Sequence, residues 1–202
     1  MKRVRGGQFF LSVLLLAIFA SSAFAGFSTV VIDAGHGGGD PGGIPGQCVQ
    51  EKIVALDVAK RLDSYLQQGG LHTVMTRSND AFIPLQRRVA FANAHRDAVF
   101  VSIHFNASPR AGAHGFETYY YHPSAAALAA RIQSRITLIH ADDNRNVKRR
   151  AYYVLRKTTI PAVLVECGFL TNPYEARLAL NADYRETLAR HIGRAILEQS
   201  SR

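Results

Sequence analysis

The segment AVFVSIH, residues 98–104, is a strong indication of the fold, because every residue in it except Ser102 and His104 is apolar. A strand with an almost continuous apolar run is typical of the interior of a parallel sheet, where helices cover both faces. We therefore place residues 98–104 at the centre of such a sheet.

Predicted strands and helices alternate on both sides of this central segment. The other predicted strands are residues 28–33, 71–76, 115–121 and 161–165, and the predicted helices are residues 51–66, 85–95, 125–139 and 184–198. Such alternation is typical of the α/β class with parallel strands. A chain of 202 residues suits one hydrophobic core rather than two. We expect a single α/β domain with a twisted, largely parallel sheet of about six strands, flanked by helices on both faces.

The N-terminus has the three parts of a secretory signal. Basic residues at positions 2, 3 and 5 precede an apolar run at 9–20, and Ala23-Phe24-Ala25 follows. This order predicts a signal peptide over residues 1–25 and a mature domain over 26–202. Twelve residues in a helix reach about 18 Å of a hydrocarbon layer about 30 Å thick, so an anchor is the weaker reading. We expect an exported protein, periplasmic in a Gram-negative cell and otherwise secreted or wall-associated, with no stable membrane insertion after cleavage.

The chain is basic, with a formal charge of +9 that falls to +6 without residues 1–25. A basic exported protein is attracted to anionic polymers of the cell surface, among them peptidoglycan carboxylates, teichoic acid phosphates and lipopolysaccharide. The alternative is that the charge only maintains solubility. Nucleic acid is not expected as a partner, because export removes the protein from it and the sequence carries no known binding motif.

Two histidines and two glutamates stand where predicted strands or loops meet one edge of the sheet. His36 follows the first strand, His104 ends the central strand and Glu166 ends the strand at 161–165. The carboxyl ends of parallel strands meet at one edge, so these side chains should lie together. Glu51, at the start of the first helix, can reach the same edge. Three ligands plus a spare carboxylate are the inventory of a catalytic zinc site, which predicts a hydrolase.

Other interpretations of these residues remain open at this stage. A glutamate in a first helical turn, such as Glu51, is also favoured by the helix dipole. Glu166 would be costly in an apolar strand unless it is catalytic or paired, and Arg88 or Arg156 would serve as its partner in a salt bridge. Of the remaining six histidines, five lack this strand-end setting, whereas His114 lies in a Gly-Ala-His-Gly turn and could line the cleft.

The chain contains only two cysteines, Cys48 and Cys167. Export would allow them to form a disulfide. Against a bridge near the site, Cys167 follows Glu166 on a strand, where successive side chains point to opposite faces. The sequence leaves this pairing open.

Several motifs, taken in order, carry a family resemblance. They are VVIDAGHGGGDPG, the glutamate at 51, MTRSND with PLQRRVAFAN, FVSIHFNAS, GFETYYY and YVLRKTTIPAVLVECGFLTNP. In this order and spacing they resemble the zinc-dependent N-acetylmuramoyl-L-alanine amidases of the amidase-3 family. The resemblance covers essentially the whole mature chain from Val30 onward.

The resemblance implies a role for each candidate residue. His36, Glu51 and His104 would bind one zinc ion, Glu166 would be the catalytic general base, and Asn106 would contact substrate. The implied substrate is the amide between the lactyl group of N-acetylmuramic acid and L-alanine of the peptidoglycan stem peptide, cut by zinc-activated water. The alternatives are a zinc carboxypeptidase or peptidase acting on cell-wall peptides, and a catalytically inactive wall-binding module.

The spacing also bears on access to the site and on partners. Some family members carry a long insertion after the strand at 115–121 that plugs the site. Here only about thirty residues separate Tyr121 from Tyr152, so we expect an open site. We expect no added wall-binding domain, so targeting would rest on charge, on the cleft or on a targeting or activator protein. We expect a monomer.

Overall fold

A computed structural model describes residues 26–45, 47–110 and 112–200. The predicted signal peptide, residues 1–25, lies outside the described residues. The strands are β1 Thr29–Ala34, β2 His72–Met75, β3 Ala98–Asn106, β4 Phe116–Tyr120, β5 Asn144–Arg149 and β6 Ala162–Phe169. The α-helices are α1 Glu51–Gln68, α2 Leu85–Asn93, α3 Ala126–Ile136, α4 Tyr153–Lys157, α5 Pro173–Leu180 and α6 Ala182–Ser200.

The six strands form one sheet in the order β2-β1-β3-β6-β4-β5. Strands β2, β1, β3 and β6 are mutually parallel, whereas β4 is antiparallel to β6 and parallel to β5. The sheet is thus largely parallel with β3 in its interior, as the sequence predicts.

Helices cover both faces of the sheet, but unequally. One face packs Val30, Val101 and Val163 against the long helices α1, α3 and α6 in the larger apolar cluster. The opposite face packs Phe100 and Leu164 against the shorter helices α2 and α4. Because the strands are apolar on both faces, successive side chains along a strand pack against the helices of opposite faces. The expected fold class is confirmed, and the thinner layer leaves room at the carboxyl edge of the sheet.

Strand β5 is the one strand of the described sheet that was not predicted from the sequence. Its sequence, NRNVKR, is polar and has no apolar alternation, and it lies at the edge of the sheet. An edge strand with one neighbour and charged side chains lacks the pattern by which buried strands are recognised. The short helices α4 and α5 were also absent from the prediction.

Both cysteines are unpaired in the structure. Cys48 is exposed, and Cys167 is buried in the larger apolar cluster. The disulfide alternative is therefore not realised here. In the described part of the chain, none of the helices combines the length and the apolar character needed to cross a bilayer.

Two buried arginines fix the backbone where β1 ends. Arg88 binds the carboxylate of Asp33 at 2.7 Å and donates to the carbonyls of Ile83, Ala34 and His36. Arg77 donates to the carbonyls of residues 34 and 35 at 2.9 and 2.6 Å. Guanidinium groups thus satisfy the backbone carbonyls of the turn that leads into the glycine-rich loop.

Replacing Arg88 with Met should destabilise the protein by about 3–5 kcal/mol, because the buried carboxylate of Asp33 would lose its charged partner. The adjacent Arg87 is exposed on the same helix, so Arg87→Met is a matched control. Urea unfolding would measure both variants. Equal unfolding midpoints for the two would contradict a stabilising role for Arg88.

Candidate metal centre

Three of the predicted site residues meet at the carboxyl edge of the sheet. His36 lies in the loop after β1, Glu51 is the first residue of α1, and His104 lies near the end of β3. One ligand atom from each of these side chains lies within 4.8 Å of the others. The structure therefore brings together a His–Glu–His group from three separate segments.

Glu51 is the centre of this group. Its Oε2 lies 3.1 Å from Nε2 of His36, and its Oε1 lies 2.8 Å from Nδ1 of His104 and accepts the Phe105 N–H at 3.0 Å. Burial opposes ionisation of this carboxyl, but the hydrogen bonds from the two histidines outweigh it and lower the pKa of Glu51 to about 2. The side chain is a buried carboxylate held between two imidazoles.

The negative charge of Glu51 raises the pKa values of the two histidines. Burial favours their neutral forms, yet the contact with Glu51 raises the pKa of His36 to about 9 and also raises the pKa of His104. Protons and divalent cations compete for the same nitrogen atoms. The group therefore has the negative potential that a cation requires.

Two glycines allow the ligands to approach one another. A Cβ on Gly35 would lie 2.3 Å from Cε1 of His104, and a Cβ on Gly42 would lie 2.6 Å from Oε2 of Glu51. Gly42 also has a φ of 72°, a conformation that side chains disfavour. The glycine-rich loop is thus needed for close packing directly on the ligand atoms.

Asp40 orients His36 and was not identified from the sequence. Its Oδ2 lies 2.8 Å from Nδ1 of His36, and its Oδ1 accepts the N–H of Gly42. A carboxylate on the second ring nitrogen fixes the tautomer of a histidine ligand. The only signal in the sequence was an acidic residue four positions after His36.

We expect Asp40→Asn to weaken zinc binding by about 10- to 100-fold, because the amide no longer holds the ring of His36 in one tautomer and orientation. Asp80→Asn is a suitable control, since Asp80 binds the N–H of Gly38 and Lys52 in the same region but contacts no ligand. Competition with a fluorescent chelator would give both zinc affinities. Unchanged affinity in Asp40→Asn would contradict the orienting role.

Glu166, on β6, lies beside His104 in the register of the sheet. Its Oε2 is buried and has no hydrogen-bond partner in the described part of the chain. Burial raises the pKa of Glu166 to about 7, against the opposing effect of His104. Arg88 instead pairs with Asp33, and neither Arg88 nor Arg156 forms an ion pair with Glu166 among the described residues. The salt-bridge interpretation of Glu166 is therefore not supported.

A cavity of about 500 Å³ opens beside these residues on the thinner face of the sheet. Glu166, His36 and His104 line its inner end, and its walls include exposed Phe82, Leu85 and Tyr152. Among the described residues that line it, none lies between positions 122 and 151.

A second buried glutamate, Glu117 on β4, faces Glu166 across the antiparallel pair and was not assigned a role from the sequence. The amide of Asn106 donates to Glu117 at 3.2 Å, and Asn106 is not among the described residues that line the cavity. Its contact with substrate stays a prediction. An acidic residue in the apolar strand 115–121 was the available signal.

A largely parallel sheet with a His–Glu–His group and a spare glutamate at its carboxyl edge is typical of α/β metallohydrolases. Comparison with known proteins identifies the family. The chain belongs to the Amidase_3 family, described as N-acetylmuramoyl-L-alanine amidase, whose model matches residues 30–198.

Named relatives agree with this membership. The chain is 40% identical over 168 residues to the N-acetylmuramoyl-L-alanine amidase LytC of Bacillus subtilis, a match that covers 81% of this chain and 34% of LytC. It therefore spans about a third of the length of that relative.

Solved structures of similar length share the fold. The N-acetylmuramoyl-L-alanine amidase AmiC2 of Nostoc punctiforme is 38% identical with a TM-score of 0.80, covering 88% of this chain and 99% of that one. The CwlD amidase of Clostridioides difficile, solved in complex with the GerS lipoprotein, is 30% identical with a TM-score of 0.82, covering 86% of this chain and 98% of that one.

Proposed function

We propose that this protein is a zinc-dependent N-acetylmuramoyl-L-alanine amidase that cleaves the amide between the lactyl group of N-acetylmuramic acid and L-alanine in peptidoglycan. The observation that carries the proposal is the buried, unpartnered Oε2 of Glu166 beside the His36–Glu51–His104 group at the inner end of an open cavity. Membership of the Amidase_3 family supports the choice of bond.

The residues present fit a zinc ion. Two imidazole nitrogens and one carboxylate are a usual donor set for catalytic zinc, and Glu51 already places its two oxygens against the two histidines. His36, Glu51 and His104 would hold the ion. When bound, zinc would supply a positive charge that polarises the amide carbonyl and lowers the pKa of water.

The proton transfers fall to Glu166. Its free carboxylate oxygen accepts a proton from the water that attacks the amide carbonyl carbon. As the C–N bond breaks, Glu166 returns that proton to the nitrogen of L-alanine. The products are a lactyl carboxylate and a stem peptide with a free amino terminus. Asp40 keeps His36 oriented throughout, because its carboxylate occupies the second ring nitrogen.

The surroundings of Arg88 argue against the carboxypeptidase alternative. Such an enzyme needs an arginine that is free to bind a terminal carboxylate. Arg88 is the one arginine among the described residues that line the cavity, and it is committed to Asp33 and three backbone carbonyls. The catalytically inactive module is disfavoured by the complete set of four site residues.

Mass spectrometry of peptidoglycan digested with the purified protein would test the proposal. We expect intact stem peptides with free L-alanine amino termini, together with glycan chains that carry unsubstituted lactyl carboxylates. Release of single terminal amino acids would instead indicate a carboxypeptidase, and undigested material would indicate a binding module.

The activity should fall on the acid side as Glu166 becomes protonated, because only the carboxylate can accept a proton. Burial raises the pKa of Glu166 from 4.5 to about 7, and a bound cation would lower it again. We therefore expect the acid limb of kcat/KM to have an apparent pKa between these two values. A pH profile measured on a soluble muramyl peptide, with zinc content monitored at each pH, would check this. Full activity well below pH 4.5 would contradict it.

We further propose that residues 1–25 direct export and that the protein acts as a monomer in the cell envelope. Similarity to proteins named as probable cell wall amidases supports action outside the cell. The solved complex of CwlD with a lipoprotein supports the idea of a partner that controls or localises the enzyme.

A further inference from the structure

A basic segment runs along the outer edge of the sheet and into the wall of the cavity. Residues 145–157 contain six basic residues and no acidic ones. This count equals the whole formal charge of +6 of residues 26–202. We call these six residues the basic rim: Arg145, Lys148, Arg149, Arg150, Arg156 and Lys157.

The first two residues of the basic rim, Arg145 and Lys148, bind Glu117, the strand neighbour of Glu166. Arg145 Nε and Lys148 Nζ each donate to Oε1 of Glu117 at 2.6 Å. Glu117 in turn faces Glu166 across β4 and β6. One buried carboxylate therefore meets two cations, which leaves a surplus positive charge next to the site.

The outer four residues of the basic rim are exposed, and none of them forms an ion pair within the described ranges of the chain. Arg149 is nevertheless held in place, because its guanidinium lies 5.0 Å from the ring centroid of Tyr121 and donates to the Tyr121 carbonyl. Like charges gathered without counter-charges repel one another. An anionic partner would relieve that repulsion.

The basic rim is continuous with the cavity. Tyr152 and Tyr153 follow Arg150 in the chain and line the cavity wall, and the ring of Tyr152 packs edge-on against Tyr119 at 5.1 Å. A polymer whose scissile bond lies at Glu166 would therefore extend past these charges. Charged side chains on an edge strand also prevent its pairing with another chain, which would explain the basic residues on β5. It would not explain Arg156 and Lys157, which lie on α4.

We propose that the basic rim binds free carboxylates of peptidoglycan stem peptides outside the cavity and so retains the polymer at the enzyme. This inference rests on the proposed function, because it takes the polymer that the cavity cleaves as the source of the anions. Phosphate-bearing wall polymers have similar charge, and the experiment distinguishes the two sources.

Co-sedimentation with purified peptidoglycan free of phosphate polymers would measure the binding. All proteins would carry Glu166→Gln so that the polymer stays intact. Adding Arg149→Ser, Arg150→Ser and Lys157→Ser should lower the apparent affinity about tenfold at low salt. The difference should shrink at about 1 M salt, where charges are screened. A control with Lys60→Ser, Arg96→Ser and Arg177→Ser removes the same charge from exposed positions elsewhere and should bind like the parent.

Peptidoglycan whose carboxylates have been converted to neutral amides provides the second arm. The parent is the protein that carries Glu166→Gln alone, and we expect it to bind the amidated material as weakly as the triple rim variant does. The triple rim variant should bind amidated and native peptidoglycan equally. Equal binding by the parent, rim and control proteins would overturn the proposal. Rim-dependent binding that appears only when phosphate polymers are retained would also overturn it, in favour of the phosphate source.

Cleavage by the protein without Glu166→Gln is measured separately on the same peptidoglycan. Rim-dependent binding without release of stem peptides would contradict the proposed function and still support binding of carboxylates by the basic rim. Normal release of stem peptides with rim-independent binding would contradict carboxylate binding by the basic rim and still support the proposed function.

Discussion

Glu166→Gln is expected to lower kcat on a soluble muramyl peptide by about 10²- to 10⁴-fold while zinc content stays at one ion per chain. The amide has the shape of the carboxyl but cannot accept a proton at catalytic pH. Because Oε2 of Glu166 has no partner in the described part of the chain, the substitution breaks no hydrogen bond at that atom. Steady-state kinetics and elemental analysis of the same preparation would measure both quantities.

Glu166→Asp is the informative companion to this variant. It keeps the carboxylate but withdraws it by one methylene, so we expect activity between those of the wild type and Glu166→Gln. A Glu166→Gln protein with wild-type kcat would show that the proton acceptor lies elsewhere. Loss of zinc together with activity would instead make Glu166 part of the metal site.

His104→Ala is expected to reduce zinc content far below one ion per chain and to abolish activity with it. The substitution removes a ring nitrogen that lies 2.8 Å from Glu51, and it leaves only His36 and Glu51 of the three donors. Catalytic zinc sites usually require three protein ligands. Elemental analysis after dialysis against trace chelator would measure the loss.

The control for this prediction is His95→Ala. His95 lies near the end of α2 and its ring contacts the carbonyl of Phe91, away from the metal group. It should retain zinc and activity. Full zinc occupancy in His104→Ala would contradict the proposed ligand set.

The parts of the fold that the sequence predicted are those with strong local patterns. Residues 98–104 and 161–165 are apolar on both faces, which identifies buried parallel strands without any knowledge of their neighbours. Strand β5 is stabilised by its pairing with β4 and by contacts to Glu117, and neither is visible in NRNVKR alone. Long-range pairing, not local preference, makes it a strand.

The same distinction applies to the candidate site. His36, His104 and Glu166 were found because strand ends converge in a parallel sheet. Glu51 needed the family resemblance, since its position is also typical of an ordinary first helical turn. Asp40 and Glu117 were missed because each acts on another side chain, and their partners are known only once the chain has folded. The hydrogen bond from Asn106 to Glu117 was not predicted for the same reason.

The order of strands in the sheet has a consequence for how the protein is made. Among the strands of the described residues, β6 is the last to be synthesised, yet it lies between β3 and β4 and joins the two parts of the sheet. A nascent chain that lacks it has neither Glu166 nor a continuous sheet. If Glu166 is the proton acceptor that we propose, a chain whose synthesis stalls before residue 169 lacks both that group and the strand that joins the sheet, so we expect it to be inactive.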